Sequence, residues 1–169
     1  MDYSKRYTYH ISDTYFDWLK ENNIDTGLMS NKENNAYRPT FLCFPDSKNS
    51  SIFWMVPLSS KYAKYKSIKI NQENRYGNCL GIVLGEYDGK DAAFLVQNAF
   101  PILPKYIDHT HTRNNNPVPV SVQIAEEVSD KLKRLIALRK LKHKKVGFVD
   151  IESIEKLLLI ELAASKSKS

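Results

Sequence analysis

The chain has 169 residues, 42% of them hydrophobic and 26% charged. That composition predicts one soluble globular domain over 1–169 and excludes a disordered or low-complexity chain. The net charge of +6, from 25 basic against 19 acidic side chains, favours a polyanionic partner. No apolar run approaches the roughly 20 residues that cross a bilayer, the polar start from Asp2 to Arg6 is no secretion signal, and Cys43 and Cys79 lack zinc-ligand spacing, which together predict a cytoplasmic protein with two reduced, buried thiols.

Arg6 to Ile11 alternates Tyr7, Tyr9 and Ile11 with polar residues, the period of a half-buried strand. Ser12 or Asp13 can cap a helix from Thr14 to about Glu21, with Tyr15, Trp18 and Leu19 on one face. Asn22 to Tyr37 reads as a long surface loop, either functional or a tolerated insertion. Arg38-Pro39 opens a strand through Phe44, Pro45 to Ser50 is dense in turn formers, and Ser51 to Leu58 returns antiparallel. Pro57 has no N–H for a ladder, so it is expected at the strand's end or on an edge. This hairpin carries Arg38 and Ser59 to the same end of the sheet.

Ser59 to Lys66 reads as a short helix or turn, and Ile70 to Asn78 as a polar loop. Cys79 to Gly85 is a nearly continuous apolar strand, Tyr87 to Asp91 a hairpin turn, and Ala92 to Val96 a strand ending in Gln97-Asn98. Phe100 to Pro104 is extended because of its prolines, and His109 to Asn116 is loop-like. In the last third, Ala125, Val128, Leu132, Leu135 and Ile136 form one helical stripe, while Lys131, Lys133, Arg134, Arg139, Lys140, Lys142, Lys144 and Lys145 make the other faces basic. Asp150 can cap a final helix that turns Ile151, Ile154, Leu157 and Leu158 inward, and Ala163 to Ser169 should fray. The pattern predicts an α+β fold: a compact, strongly curved antiparallel sheet or small barrel with helices packed outside.

The stretch Ile52 to Lys66 carries the chemistry. A buried strand ends by delivering Ser59 and Ser60 into a surface of Lys61, Lys64 and Lys66 interleaved with Tyr62 and Tyr65. Hydroxyls and ammonium groups bind phosphate, and tyrosine rings stack on bases; the plainer alternative is a strand followed by a solvated, lysine-rich helix. With Arg38 beside them, Ser59, Ser60 and Lys61 suit RNA cleavage by its own 2′-hydroxyl, where cations and hydroxyls stabilise the crowded phosphate. The sequence offers no obvious carboxylate cluster for a divalent metal, so a metal-free and cofactor-free route is favoured. His109 and His111 could act as acid and base, bind a metal from one face of a strand, or simply occupy a solvated loop. Lys131 and Arg134 could track a nucleic-acid backbone or face solvent. Gln97-Asn98 could pair with a base edge or fix a turn.

Tyr9-His10-Ile11-Ser12-Asp13-Thr14-Tyr15, then Arg38-Pro39 opening a strand, then Val56 to Tyr65 (VPLSSKYAKY) resemble the ToxN/AbiQ endoribonuclease toxins of type III toxin–antitoxin systems. The run Ala93 to Ile102 (AFLVQNAFPI) resembles the CptN and TenpN branches, and the likeness runs in order from about Tyr7 to Leu159. It implies a curved antiparallel sheet similar to that of the MazF and Kid toxins, and metal-independent RNA cleavage leaving a 2′,3′-cyclic phosphate. It further implies inhibition by a small repeat-derived RNA antitoxin folded as a pseudoknot, assembled with the toxin into closed complexes. It places the hydroxyl pair on Ser59 and Ser60, the basic residue on Arg38 and the helix-one tyrosine on Tyr15. Arg38 stands where ToxN has lysine, and Ser59 where ToxN has threonine. Arginine is a poor proton carrier, which turns that role toward Lys61 or Tyr15. The competing readings are a non-catalytic RNA-binding module with the same basic, aromatic surface, and an SH3-like protein-interaction domain.

Overall fold

Residues 3, 5–24, 27–142 and 147–166 are described by the structure, a computed structural model. The expected alternation forms strand β1 (Thr8–Ile11), with Tyr9 and Ile11 buried. Ser12 caps helix α1 (Asp13–Glu21) by accepting from the Thr14 N–H, and Tyr15 and Leu19 are its buried face. The loop expected from Asn22 to Tyr37 is half a hairpin. Strands β2 (Lys32–Glu33) and β3 (Ala36–Tyr37) pair across Asn34 and Asn35, at φ 51° and 64°. Asparagine tolerates that left-handed region, and two such residues make the tight turn of a hairpin.

Strands β4 (Thr40–Pro45) and β5 (Phe53–Ser59) pair antiparallel as expected, with a bulge between Leu42 and Phe44. Their connection is pinned by Asp46, which accepts from the Trp54 indole N–H at 3.0 Å and from the Lys48 and Asn49 amides. Helix α2 (Tyr62–Tyr76) corrects the expected short turn and following loop: it runs unbroken for 15 residues and ends only at Gly77, in a left-handed cap at φ 78°. No breaker precedes that glycine, and a Lys69–Glu73 ion pair one turn apart supports a segment whose polarity hid its helicity.

Strand β6 (Val83–Tyr87) begins later than Cys79, because residues 79–82 lead in from α2, with the Gly81 carbonyl accepting from the Gln97 N–H. The Asp88-Gly89 turn, both residues at positive φ, joins it to β7 (Lys90–Phe94). Val96–Asn98 is a turn of 3-10 helix rather than strand, followed by β8 (Phe100–Ile102). The polar stretch around His109 is not a loop: it forms β9 (Ile107–Thr110) and a small hairpin of β10 (Thr112–Arg113) and β11 (Asn116–Pro117), again turned by two asparagines. Helices α3 (Val122–Lys142) and α4 (Ile151–Lys166) fall as expected. Val128, Leu132, Ile154 and Leu158 are fully buried, and Asp150 caps α4 through the Ser153 amide and hydroxyl. Residues 163–166 are helical, not frayed. Lys144, Lys145 and residues 167–169 lie outside the described residues.

The fold is α+β. Its main sheet is antiparallel throughout, in the order β6-β7-β5-β4-β1-β9, with β8 also paired to β5. It is not a closed barrel, since β6 and β9 are its outer strands. Pro57 lies within central β5 rather than at an end or edge. The Leu58 N–H turns toward β4, so the Pro57 nitrogen faces the opposite side, where β5 exchanges β8 for β7 as its neighbour. At that gap no ladder donor is needed, and the Pro57 carbonyl accepts from the Leu95 N–H. Tyr87 at the end of β6 meets Thr8 of β1, hydroxyl to hydroxyl, at 2.5 Å. Among the described residues no helix is long and apolar enough to cross a membrane.

Candidate active site

The β4–β5 hairpin does carry Arg38 and Ser59 to one end of the sheet. Arg38 is 6% exposed and Ser59 2% exposed. The Arg38 guanidinium is fixed by backbone carbonyls: Nη1 donates to Leu58 O at 2.5 Å and Nε to Ser30 O at 3.1 Å. Ser60 follows on the exposed rim, and α2 starts two residues later, so its positive N-terminal end lies beside the hydroxyls. Together they form one wall of a cleft of about 340 Å³, lined also by Tyr37, Tyr87 and His111.

A residue the sequence reading missed sits at the centre of this arrangement. Glu33, from β2, places Oε1 2.8 Å from the Ser59 hydroxyl and 3.4 Å from Arg38 Nη1. Its Oε2 accepts from the Ser60 N–H at 2.8 Å and the Ser60 hydroxyl at 3.0 Å. Burial on its own would raise the Glu33 carboxyl pKa; the Ser60 amide, the Ser59 hydroxyl, Arg38 and the Ser60 hydroxyl outweigh it and hold the group below the ordinary glutamate value. The only sequence signal for Glu33 was the Asn34-Asn35 pair after it, a hairpin turn that returns the chain to Arg38.

His111 borders the same cleft and joins it to a histidine cluster. His111 Nδ1 lies 2.9 Å from His10 Nε2, its own Nε2 lies 3.7 Å from Asp88, and His109 stacks on His10 at 4.6 Å. Burial, then His109 and His111, push the His10 pKa down to about 4, against the pull of Asp108. His10 was also missed, although its place between Tyr9 and Ile11 in an alternating strand puts it on the opposite face from them. Burial likewise pushes the Tyr87 hydroxyl up to about 12, moderated by its bond to Thr8.

The other expected residues do not line this cleft, although Lys61 follows Ser60 directly and its N–H donates to the Ser59 hydroxyl at 3.2 Å. Tyr15 is 0% exposed in the core, its ring stacked on Phe100 and its hydroxyl donated to the Pro101 carbonyl at 2.7 Å. That burial seals the ring from the cleft, against its expected role as a proton carrier. Tyr65 is 8% exposed and packs with Cys79, Ile82, Ala93 and Leu95, with its hydroxyl within electrostatic reach of Arg38 and Glu33. Lys61, Lys64 and Lys66 are exposed along the start of α2. Gln97 packs its side chain against Gly81, and Asn98 is buried. His109 is exposed and paired with Asp108.

The basic face of α3 is thinner than expected. Lys131 Nζ donates to the Ile82 carbonyl at 3.1 Å and pairs with Glu127, and Arg139 pairs with Glu155. Arg134 and Lys140 are exposed, and no α3 residue lines the cleft. Both cysteines are free, with Cys79 buried and Cys43 half-buried. Among the described residues no group of three His, Cys, Asp or Glu side chains could hold a metal ion. No family model matches the chain, and no curated protein matches it.

Proposed function

We propose that the chain is a metal-independent endoribonuclease toxin, restrained by a small repeat-derived pseudoknot RNA with which it forms a closed assembly, and acting on cellular RNA when released. The observation that carries this reading is the convergence of buried Arg38 with the Ser59 and Ser60 hydroxyls in one cleft that His111 also lines. In the proposed reaction the RNA 2′-oxygen bonds to phosphorus and the bond from phosphorus to the 5′-oxygen breaks, leaving a 2′,3′-cyclic phosphate. Arg38 and the serine hydroxyls stabilise the phosphorane oxygens. Histidine is the side chain whose ordinary pKa lies nearest neutrality, so His111 is assigned the proton of the 2′-hydroxyl. Lys61, directly after Ser60 in the chain, is assigned the proton that the leaving 5′-oxygen takes up, and Lys64 and Lys66 extend a cationic track along α2. The meeting of Tyr87 and Thr8 from separate parts of the strand order supports a strongly curved sheet of the MazF and Kid kind.

The test is RNA cleavage by the purified chain in excess chelator. Expected are 5′ fragments ending in a cyclic phosphate, resistance of a substrate carrying one 2′-deoxy residue at the cut, and loss of cleavage in a folded Ser60→Ala variant. Cleavage that stops with chelator, or a deoxy substrate cut normally, overturns the mechanism. One observation favours a second reading, a non-catalytic RNA-binding module: the serine hydroxyls are already bonded to Glu33. RNA that is bound but never cut selects that reading.

A further inference from the structure

The donors that a phosphate would use are engaged by a carboxylate. Glu33 presents two oxygens to two hydroxyls, one backbone N–H and one guanidinium, and its side chain is only 12% exposed. That is the donor set of a phosphate site, filled by the protein's own anion. With its pKa lowered by the Ser60 amide, the Ser59 hydroxyl, Arg38 and the Ser60 hydroxyl against the opposing effect of burial, Glu33 stays ionised at neutral pH and competes as a full negative charge.

Glu33 also sits on an element that can leave. The β2–β3 hairpin has two residues in each strand and pairs with no strand of the main sheet. Its base is anchored at β1, α1 and Arg38: Asn31 bonds Ile11 O and Asp13, Tyr37 donates to Asp13 at 2.7 Å, and the Arg38 N–H donates to Asn31 O. Glu33 ties the hairpin to the end of β5. Releasing that tie leaves the anchor at Asp13 intact.

We propose that Glu33 is the specificity-determining residue of this cleft: an internal anion that fills the phosphate cradle and is displaced, with its hairpin, by an RNA phosphodiester. The proposal rests on the phosphate reading of Arg38, Ser59 and Ser60. A tethered carboxylate competes at a high effective concentration. Free phosphate, with no other contact to the protein, therefore loses to it. An RNA strand wins because the lysines of α2 bind its neighbouring phosphates at the same time. The cradle thus rejects free phosphate and mononucleotides while admitting a polymer.

The experiment compares the full chain with Glu33→Gln, which keeps size and removes charge, using two probes at fixed salt. One probe is inorganic phosphate, read by the shift in melting temperature; the other is an uncleavable 2′-deoxy-substituted RNA oligonucleotide, read by fluorescence anisotropy. The expected result is that phosphate stabilises Glu33→Gln but not the native chain, that the variant binds the oligonucleotide at least tenfold more tightly, and that adding Ser60→Ala removes both gains. Equal response of the native chain and a folded Glu33→Gln to both probes overturns the proposal. Gain with phosphate and no binding of the oligonucleotide to either protein keeps the internal anion and removes the RNA reading. Equal oligonucleotide binding by both, without any phosphate effect, removes the internal anion and keeps the RNA reading. Should Glu33→Gln fail to fold, hydrogen exchange on the native chain decides. Amides of residues 32–37 lose protection when the oligonucleotide saturates the protein if the hairpin is displaced, and unchanged or greater protection overturns the proposal.

Discussion

Two clusters border one cleft and differ in how well their polar atoms are matched. In the cradle, two carboxylate oxygens of Glu33 meet four donors. Among the histidines, His10 keeps one ring nitrogen bonded to His111 and leaves Nδ1 buried without a partner. The first cluster is stabilised by its charge, since Arg38 and Glu33 are both shielded and face each other. The second favours an uncharged His10, since burial, then His109 and His111, make a proton on that ring unfavourable. The cradle therefore resists mild acid and His10 responds to it.

Breaking the ion pair tests the first half of this contrast and has the largest expected effect. Arg38→Met leaves the Glu33 carboxylate shielded without its cation and strips donors from the Leu58 and Ser30 carbonyls. A loss of ~3–5 kcal/mol in urea unfolding is expected, with part of it restored when Glu33→Gln is added. A loss no greater than that of an ordinary surface substitution shows the pair to be solvated and the contrast empty.

Acid titration separates the two clusters by their windows. His10 is lowered from 6.5 to about 4, so its unfolded form takes up a proton first. The stability that depends on neutral His10 is complete above pH 6.5 and is lost as pH falls toward 4, by ~1–2 kcal/mol once solvent screening of the half-buried ring is allowed for. His10→Gln removes that slope in urea melts at pH 7.5 and 4.5. Glu33 is depressed below 4.5, so its contribution is complete above 4.5 and is lost only as pH falls further. The gap between the native chain and Glu33→Gln therefore stays constant from pH 7.5 to 5 and closes below 4.5. A gap that closes already near pH 6 refutes this separation.

Helix α3 sharpens the same contrast at smaller scale. Lys131 is committed to the Ile82 carbonyl and Glu127, whereas Arg134 is exposed. Lys131→Ala should cost ~1 kcal/mol, and Arg134→Ala should change stability by less than ~0.5 kcal/mol. Equal effects in thermal melts remove the distinction between a basic residue that holds the fold and one that only faces solvent.

The legible parts of the chain are those where one signal spans few residues. Ser12 before an apolar face announced α1, Asp88-Gly89 announced its hairpin, and the steps of three and four from Ala125 to Ile136 announced α3. Arg38 and Ser59 could be brought together because one short hairpin joins them. Helix α2 was illegible beyond Lys66 because it buries little besides Tyr65, so no apolar stripe marks its course. His109 read as loop because its polarity masked strand β9, which lies at the sheet's edge.

By itself, then, the sequence determined the elements whose periodicity and turn chemistry act within about ten residues, and it placed the serine pair at the end of a buried strand. Only the tertiary structure decided what faces that pair. Glu33 reaches Ser60 across 27 residues of chain, Tyr15 gives its hydroxyl to Pro101 across 86, and His10 meets His111 across 101. Contacts of that separation follow from how the β2–β3 hairpin, helix α1 and the strands of the sheet pack together. Strand order is settled by burying the whole core at once, and no local stretch of residues encodes it.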